Sequence, residues 1–103
     1  MPFGKVYWDL VQLPNGFGGE HYMLHFVDSH SRMHHVYSLL NKNQESILGT
    51  FKQYASHIKR RWGFTIKIIH GDGETAAAFG SGFRAWVAEE GLTMETLPPY
   101  TQD

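Results

Sequence analysis

The chain has 103 residues, 42% of them hydrophobic, with a formal net charge of -1 and no cysteine. That length suits one domain with a modest core, and the missing thiols exclude a disulfide framework, a thiolate zinc site and a cysteine nucleophile. No apolar run is long enough to span a bilayer, and Met1-Pro2-Phe3-Gly4-Lys5 lacks a signal layout, so the expectation is an intracellular protein without a membrane partner.

From Lys5 to Gln12, Val6, Trp8 and Leu10 alternate with Tyr7, Asp9 and Val11. Both sides are largely apolar, which predicts an interior strand covered on its two faces. Asp9 is then a carboxylate in apolar surroundings, and it needs a basic partner, a cation or an opening to water. Pro14 to Glu20 is dense in turn residues. His21 to Asp28 and Met33 to Leu40 alternate again around the polar reversal Ser29-His30-Ser31-Arg32, so a three-stranded antiparallel meander is predicted.

The period then changes. Ile47, Phe51, Tyr54, Ile58 and Trp62 recur at helical spacing, widened by Leu48 and Ala55. Asn41 or Asn43 can cap the start and Gly63 can stop the end. Lys52, Lys59 and Arg60 fall on the solvent side, where a basic face can hold a phosphate backbone or merely be solvated. The charges are unevenly spread, since Lys42, Lys52, Lys59, Arg60, Arg61 and Lys67 crowd the middle while Asp72, Glu74, Glu89, Glu90, Glu95 and Asp103 crowd the end.

The stretch Thr65-Ile66-Lys67-Ile68-Ile69-His70-Gly71-Asp72-Gly73-Glu74 reads as a β-branched strand that delivers a carboxylate to its tip. Asp72 there either opens a turn or carries chemistry. Phe79, Phe83, Trp86 and Val87 outline a second helix closed by Gly91, Leu92 to Leu97 makes a last short strand, and Pro98 to Asp103 is an extended tail. Trp62, beside Arg60 and Arg61, can stack on a base or pack in the core, and core packing fits its place in the helical stripe. His30, His34 and His35 lack the spacing and companions of a zinc site, and His70 shares a strand face with Asp72.

Together the segments Trp8-Asp9-Leu10, Phe26-Val27-Asp28-Ser29-His30-Ser31-Arg32, Ile68-Ile69-His70-Gly71-Asp72-Gly73-Glu74 and Pro99-Tyr100-Thr101 resemble the catalytic core of retrotransposon integrases, most closely the copia type. The resemblance implies an α/β, ribonuclease H-like mixed sheet: three antiparallel strands, a crossover helix, a parallel strand, a helix and a short strand. It also implies a DDE enzyme of DNA integration. Asp9 takes the first acid and Asp72 the second, both catalytic and both ligands to Mg²⁺ or Mn²⁺. The implied partners are DNA, as element ends and target, and a further copy of the chain in a homo-oligomer. The implied location is the nucleus.

Asp28 and Arg32 match a pattern of the same family that is not metal-binding, and they are expected to stabilise a turn as a pair. The family's third acid, a Glu roughly thirty-five residues past the second Asp, has no counterpart before Asp103, because Glu89, Glu90 and Glu95 come too early. Residues 1–103 are therefore expected to be a single, C-terminally truncated integrase core with little or no strand-transfer activity. Gly73 also stands where the family has Asn, and Val11-Gln12-Leu13-Pro14 where it has Gly-Pro. A different class of function, a non-enzymatic nucleic-acid or protein-binding module derived from a transposon, is the alternative.

Overall fold

In a computed structural model, which describes residues 3–14 and 21–97, the elements run β1 (Lys5–Gln12), β2 (Tyr22–Asp28), β3 (His34–Leu39), α1 (Gln44–Trp62), β4 (Ile68–Asp72), α2 (Gly73–Ala77), α3 (Gly80–Glu90) and β5 (Thr93–Leu97). The strands form one mixed sheet in the order β3-β2-β1-β4-β5. β1, β2 and β3 pair antiparallel, whereas β4 runs parallel to both β1 and β5. Much of the Pro14–Glu20 connection and the whole Pro98–Asp103 tail, with its Pro99-Tyr100-Thr101, lie outside the described residues.

Each helix boundary has a local cause. Asn43 caps α1 by accepting the Ser46 amide at 2.8 Å, and Gly63 ends it in the left-handed conformation at φ 76° while donating to the Lys59 carbonyl. Ile47, Phe51, Tyr54 and Ile58 are buried as the helical spacing predicts. The second predicted helix is in fact two. Asp72 caps a five-residue turn of helix, α2, and α3 then starts anew at Gly80 and ends on left-handed Gly91 at φ 70°. No helix among the described residues is long and apolar enough to cross a membrane.

The core lies on one side of the sheet. Val6, Trp8, Leu24, Phe26 and Ile69 face α1 and α3, where they meet Phe51, Tyr54, Phe83 and Trp86. Phe26 stacks on Tyr54 with ring centroids 4.1 Å apart, and Trp8 meets Phe79 at 5.1 Å. Trp62 packs on Phe3 at 5.2 Å, so its role in the core prevails. The other face of β1 differs from expectation. Tyr7 is 41% exposed and Val36 on β3 is 53% exposed, and Asp9 is exposed as well. The strand is interior to the sheet, but among the described residues only its helix side is covered. Asp9 therefore meets water rather than an apolar layer.

Asp28 is the carboxylate that is buried. It is fully enclosed, and its oxygens accept the Phe3 amide at 2.7 Å and the Ser31 amide at 2.8 Å. Its expected pairing with Arg32 takes another form. Arg32 is exposed, sits at φ 64°, and joins the turn through its backbone amide, which donates to the Asp28 carbonyl at 2.9 Å. Backbone donors, not a guanidinium, compensate the buried charge.

Gly71, on β4, has no room for a side chain, because a Cβ there would overlap the Trp8 indole. Gly71→Ala should lower unfolding stability by about 1–3 kcal/mol through overpacking. In contrast, Gly49→Ala in α1, where a Cβ meets nothing within 4 Å, should raise it by about 0.5–1 kcal/mol; urea titration of both variants checks the pair.

Asp28 yields a pH prediction. Burial pushes its carboxyl up, but hydrogen bonds from Ser31, Phe3 and His30 outweigh burial and hold it below its usual range. Its folded value thus lies below the unfolded one near about 3.9, so its stabilising contribution is complete above that pH and lost as pH falls through the folded value. Acid unfolding should lose a transition in that window in Asp28→Asn, whose stability at neutral pH should also drop.

Candidate functional site

Asp9 and Asp72 stand on neighbouring strands of the sheet. β1 and β4 pair in parallel with Lys5 opposite Ile68, Val6 opposite Ile69 and Tyr7 opposite His70. Two residues further along both strands come Asp9 and Asp72. Side chains alternate along a strand, so both acids stand on the face of Tyr7 and His70, whose rings meet edge to face at 5.0 Å. The printed pairing of the two strands ends at Tyr7 and His70, and both carboxylates beyond it are exposed.

The two carboxylates are held differently. Asp72 Oδ2 accepts both the Thr75 amide at 2.9 Å and the Thr75 hydroxyl at 2.8 Å. Those two hydrogen bonds, the hydroxyl first, hold its carboxyl below the usual range. The turn-opening role foreseen for Asp72 is therefore real, and it occupies one oxygen while Oδ1 remains available. Asp9 lies opposite His25 of β2, and His25 Nε2 meets His34 Nδ1 at 2.7 Å. The ring planes differ by 19° and the centroids are 4.9 Å apart, so the two imidazoles lie against one another in near-parallel orientation.

On the other side of the pair, Glu95 of β5 is already engaged. Its Oε1 binds Lys5 Nζ at 2.8 Å and His70 Nδ1 at 3.2 Å. The Lys5 hydrogen bond, then that of His70, keeps the Glu95 carboxyl low, while Glu95 in turn raises Lys5. This chain of charges crosses β1, β4 and β5 and leaves Glu95 neutralised. Among the described residues no three His, Asp or Glu side chains converge on a metal-sized site. Asp9 and Asp72 share a face of the sheet and belong to no such cluster.

His30, His34 and His35 do not assemble. His35 lies on the helix side, where burial first and then His57 hold its imidazole low. His25 beside Asp9 was not foreseen as part of the site. Its alternation with Leu24 and Phe26 placed it on the open face, but only the β1–β2 register shows that it stands across from an acid.

No protein-family model matches the chain, and no curated protein matches it. Among solved structures it is similar to a chain in the cryo-EM structure of the simian T-cell lymphotropic virus intasome in complex with the PP2A regulatory subunit B56 gamma, with a TM-score of 0.79 at 14% identity. The match covers 98% of this chain and 34% of that one, so the chain spans about a third of its neighbour. The fold is ribonuclease H-like. At that identity the likeness is one of fold.

Within a ribonuclease H-like sheet, Thr75 is the residue that sets the state of Asp72. Thr75→Val keeps the amide donor and deletes the hydroxyl, so the Asp72 carboxyl should titrate closer to its ordinary range. A side-chain NMR titration of both proteins reads this directly; an unmoved Asp72 would show that the amide alone holds it.

Proposed function

We propose that the chain is a catalytic-core segment of a DDE-type integrase, in which Asp9 and Asp72 hold Mg²⁺ or Mn²⁺ for strand transfer between element ends and target DNA. The observation that supports this reading is the parallel β1–β4 pairing from Lys5 opposite Ile68 to Tyr7 opposite His70, which, continued two residues along both strands, would put Asp9 and Asp72 on the same open face. The donor set fits a hard cation: two exposed carboxylates, with water free to complete the shell, are what magnesium takes in preference to an all-protein cage. A bound divalent ion would supply charge stabilisation at a phosphodiester undergoing in-line displacement.

The residues around the pair have definable tasks in that setting. Thr75 orients Asp72 and holds its carboxyl below the usual range. Lys5 and His70 hold Glu95 away from competing for the cation. Tyr7 and His70 form the aromatic floor beside the acids. The third carboxylate of the resembled family is assigned to no residue here, so the 103-residue chain should bind the ion weakly and transfer strands poorly.

The alternative of a non-enzymatic binding module draws on a separate observation, the exposed apolar side chains Tyr7, Val36 and Leu40, which suit association with a partner or a second copy. The two possibilities part on one experiment. Mn²⁺ should broaden the amide signals around Asp9 and Asp72, and Asp9→Asn or Asp72→Asn should weaken Mn²⁺ binding tenfold or more, with the fold intact by circular dichroism. Mn²⁺ affinity unchanged in both variants would sink the metal assignment and leave the binding module. Robust magnesium-dependent strand transfer by residues 1–103 would overturn the requirement for a further acid.

A further inference from the structure

Helix α1 carries a second charged surface, on the side of the sheet away from the two acids. Between Glu45 and Asp72 the sequence has five cationic side chains, Lys52, Lys59, Arg60, Arg61 and Lys67, and no carboxylate. The ion pairs among the described residues are Lys5–Glu95 and His70–Glu95, so none of the five is neutralised by one. Part of this density answers the helix dipole, since Lys59, Arg60 and Arg61 lie in the last turn of α1. The dipole does not account for Lys52, two turns earlier, or for what surrounds Arg60.

Two grooves flank the exposed ridge of α1, and they differ in charge. The groove towards α3 sets Lys52 and Lys59 against Glu89 and Glu90. An anion there would face two carboxylates. The groove towards β3, of about 400 Å³, is lined by Tyr37, Gln53, Ser56, His57 and Arg60. Every one of these side chains can donate a hydrogen bond and none is acidic. Burial pushes the Tyr37 hydroxyl up, so it remains a donor at any physiological pH. Gln53, His57 and Arg60 follow one another at helical spacings of four and three, which aligns their donors along one side of α1. Arg61 continues the basic run and lies over the Trp62 ring at 5.5 Å.

We infer that the groove between α1 and β3 binds the phosphodiester backbone of a nucleic acid, separately from the Asp9–Asp72 site on the opposite face of the sheet. Tyr37 pairs with buried Leu24 and so belongs to the helix side, whereas the acids belong to the open side. A strand held here passes behind the sheet, and it needs no divalent ion. The inference therefore stands whether or not the two acids bind metal.

The test is fluorescence anisotropy with a labelled oligonucleotide, single-stranded and duplex, in EDTA at several salt concentrations. The intact chain should bind with affinity that falls linearly on a logarithmic salt scale, by about one power per phosphate neutralised. His57→Ala/Arg60→Ala should bind at least fivefold more weakly with a shallower salt slope, and Gln53→Glu, which puts a carboxylate in the groove, should lose at least as much. Thr93→Ser, on β5 at the far edge of the sheet from β3, should bind as the unmodified chain does. All three variants change exposed groups, and thermal melting verifies their folding. Unchanged affinity in both groove variants would overturn the proposal, as would equal binding of poly-glutamate, which has charge without phosphodiesters. A loss confined to duplex or to single strands supports it and names the form bound.

Discussion

The contact on which the arrangement depends is the Trp8 indole lying over Gly71. Trp8 precedes Asp9 on β1, and Gly71 precedes Asp72 on β4. The indole occupies the space that any larger residue at 71 would fill, which pins the two strands in one register. A slip of one residue would turn every side chain of β4 to the other face, carrying Asp72 towards the helices and Ile69 towards water. The placement of the acids on one face is thus a consequence of packing on the opposite face. Trp8 is itself fixed by Phe51 and Phe79, at 6.0 and 5.1 Å, so the register is tied to the core rather than to the site.

Sheet asymmetry follows from where the apolar side chains can go. Val6, Leu24, Phe26 and Ile69 are nearly or wholly inaccessible, and burying each such side chain is worth about 1.5–3 kcal/mol. The open face carries Tyr7, Val36 and a line of polar groups instead. Lys5, His70 and Glu95 cross three strands there, and because Lys5 and Glu95 are well exposed their value is mainly in keeping Glu95 occupied. Exposed ion pairs contribute little to stability; here the consequence is that Asp9 and Asp72 are the carboxylates of that region still available.

Much of the architecture was legible in the residues because local and global signals agreed. The alternation in β2, the stripe Ile47-Phe51-Tyr54-Ile58, Asn43 and Gly63 each specify their element almost alone. Three features were not legible. The break between α2 and α3 arises from the Asp72 cap and from Gly80 at φ 89°, and a periodicity carried by Phe79, Phe83 and Trp86 does not show where the preceding turn ends. The opening of one face of β1 was hidden because Tyr7 and Val11 look like core residues, and an aromatic or a valine on a sheet surface has the same letter as one beneath a helix. The Asp28–Arg32 pair stabilises its turn through the Arg32 amide rather than its guanidinium, and the Asp28 carboxylate is met by the amides of Phe3 and Ser31. This was hidden because donors on the backbone leave no mark in a sequence.

The net charge of -1 also conceals a division of labour that only the fold displays. Asp9, midway along β1, and Asp72, at the end of β4, face one way, and the cations of α1 face the other, with the sheet and its core between them. Were the two sets on one surface, Lys59 and Arg60 would neutralise Asp9 and Asp72, and neither a cation nor a phosphate would find an uncompensated partner. Apolar packing keeps them apart, since α1 can bury Ile47, Phe51, Tyr54 and Ile58 only by turning its basic side outward. The same stripe that builds the core therefore determines that the charges of opposite sign cannot cancel, and the electrostatic character of each face follows from the hydrophobic one.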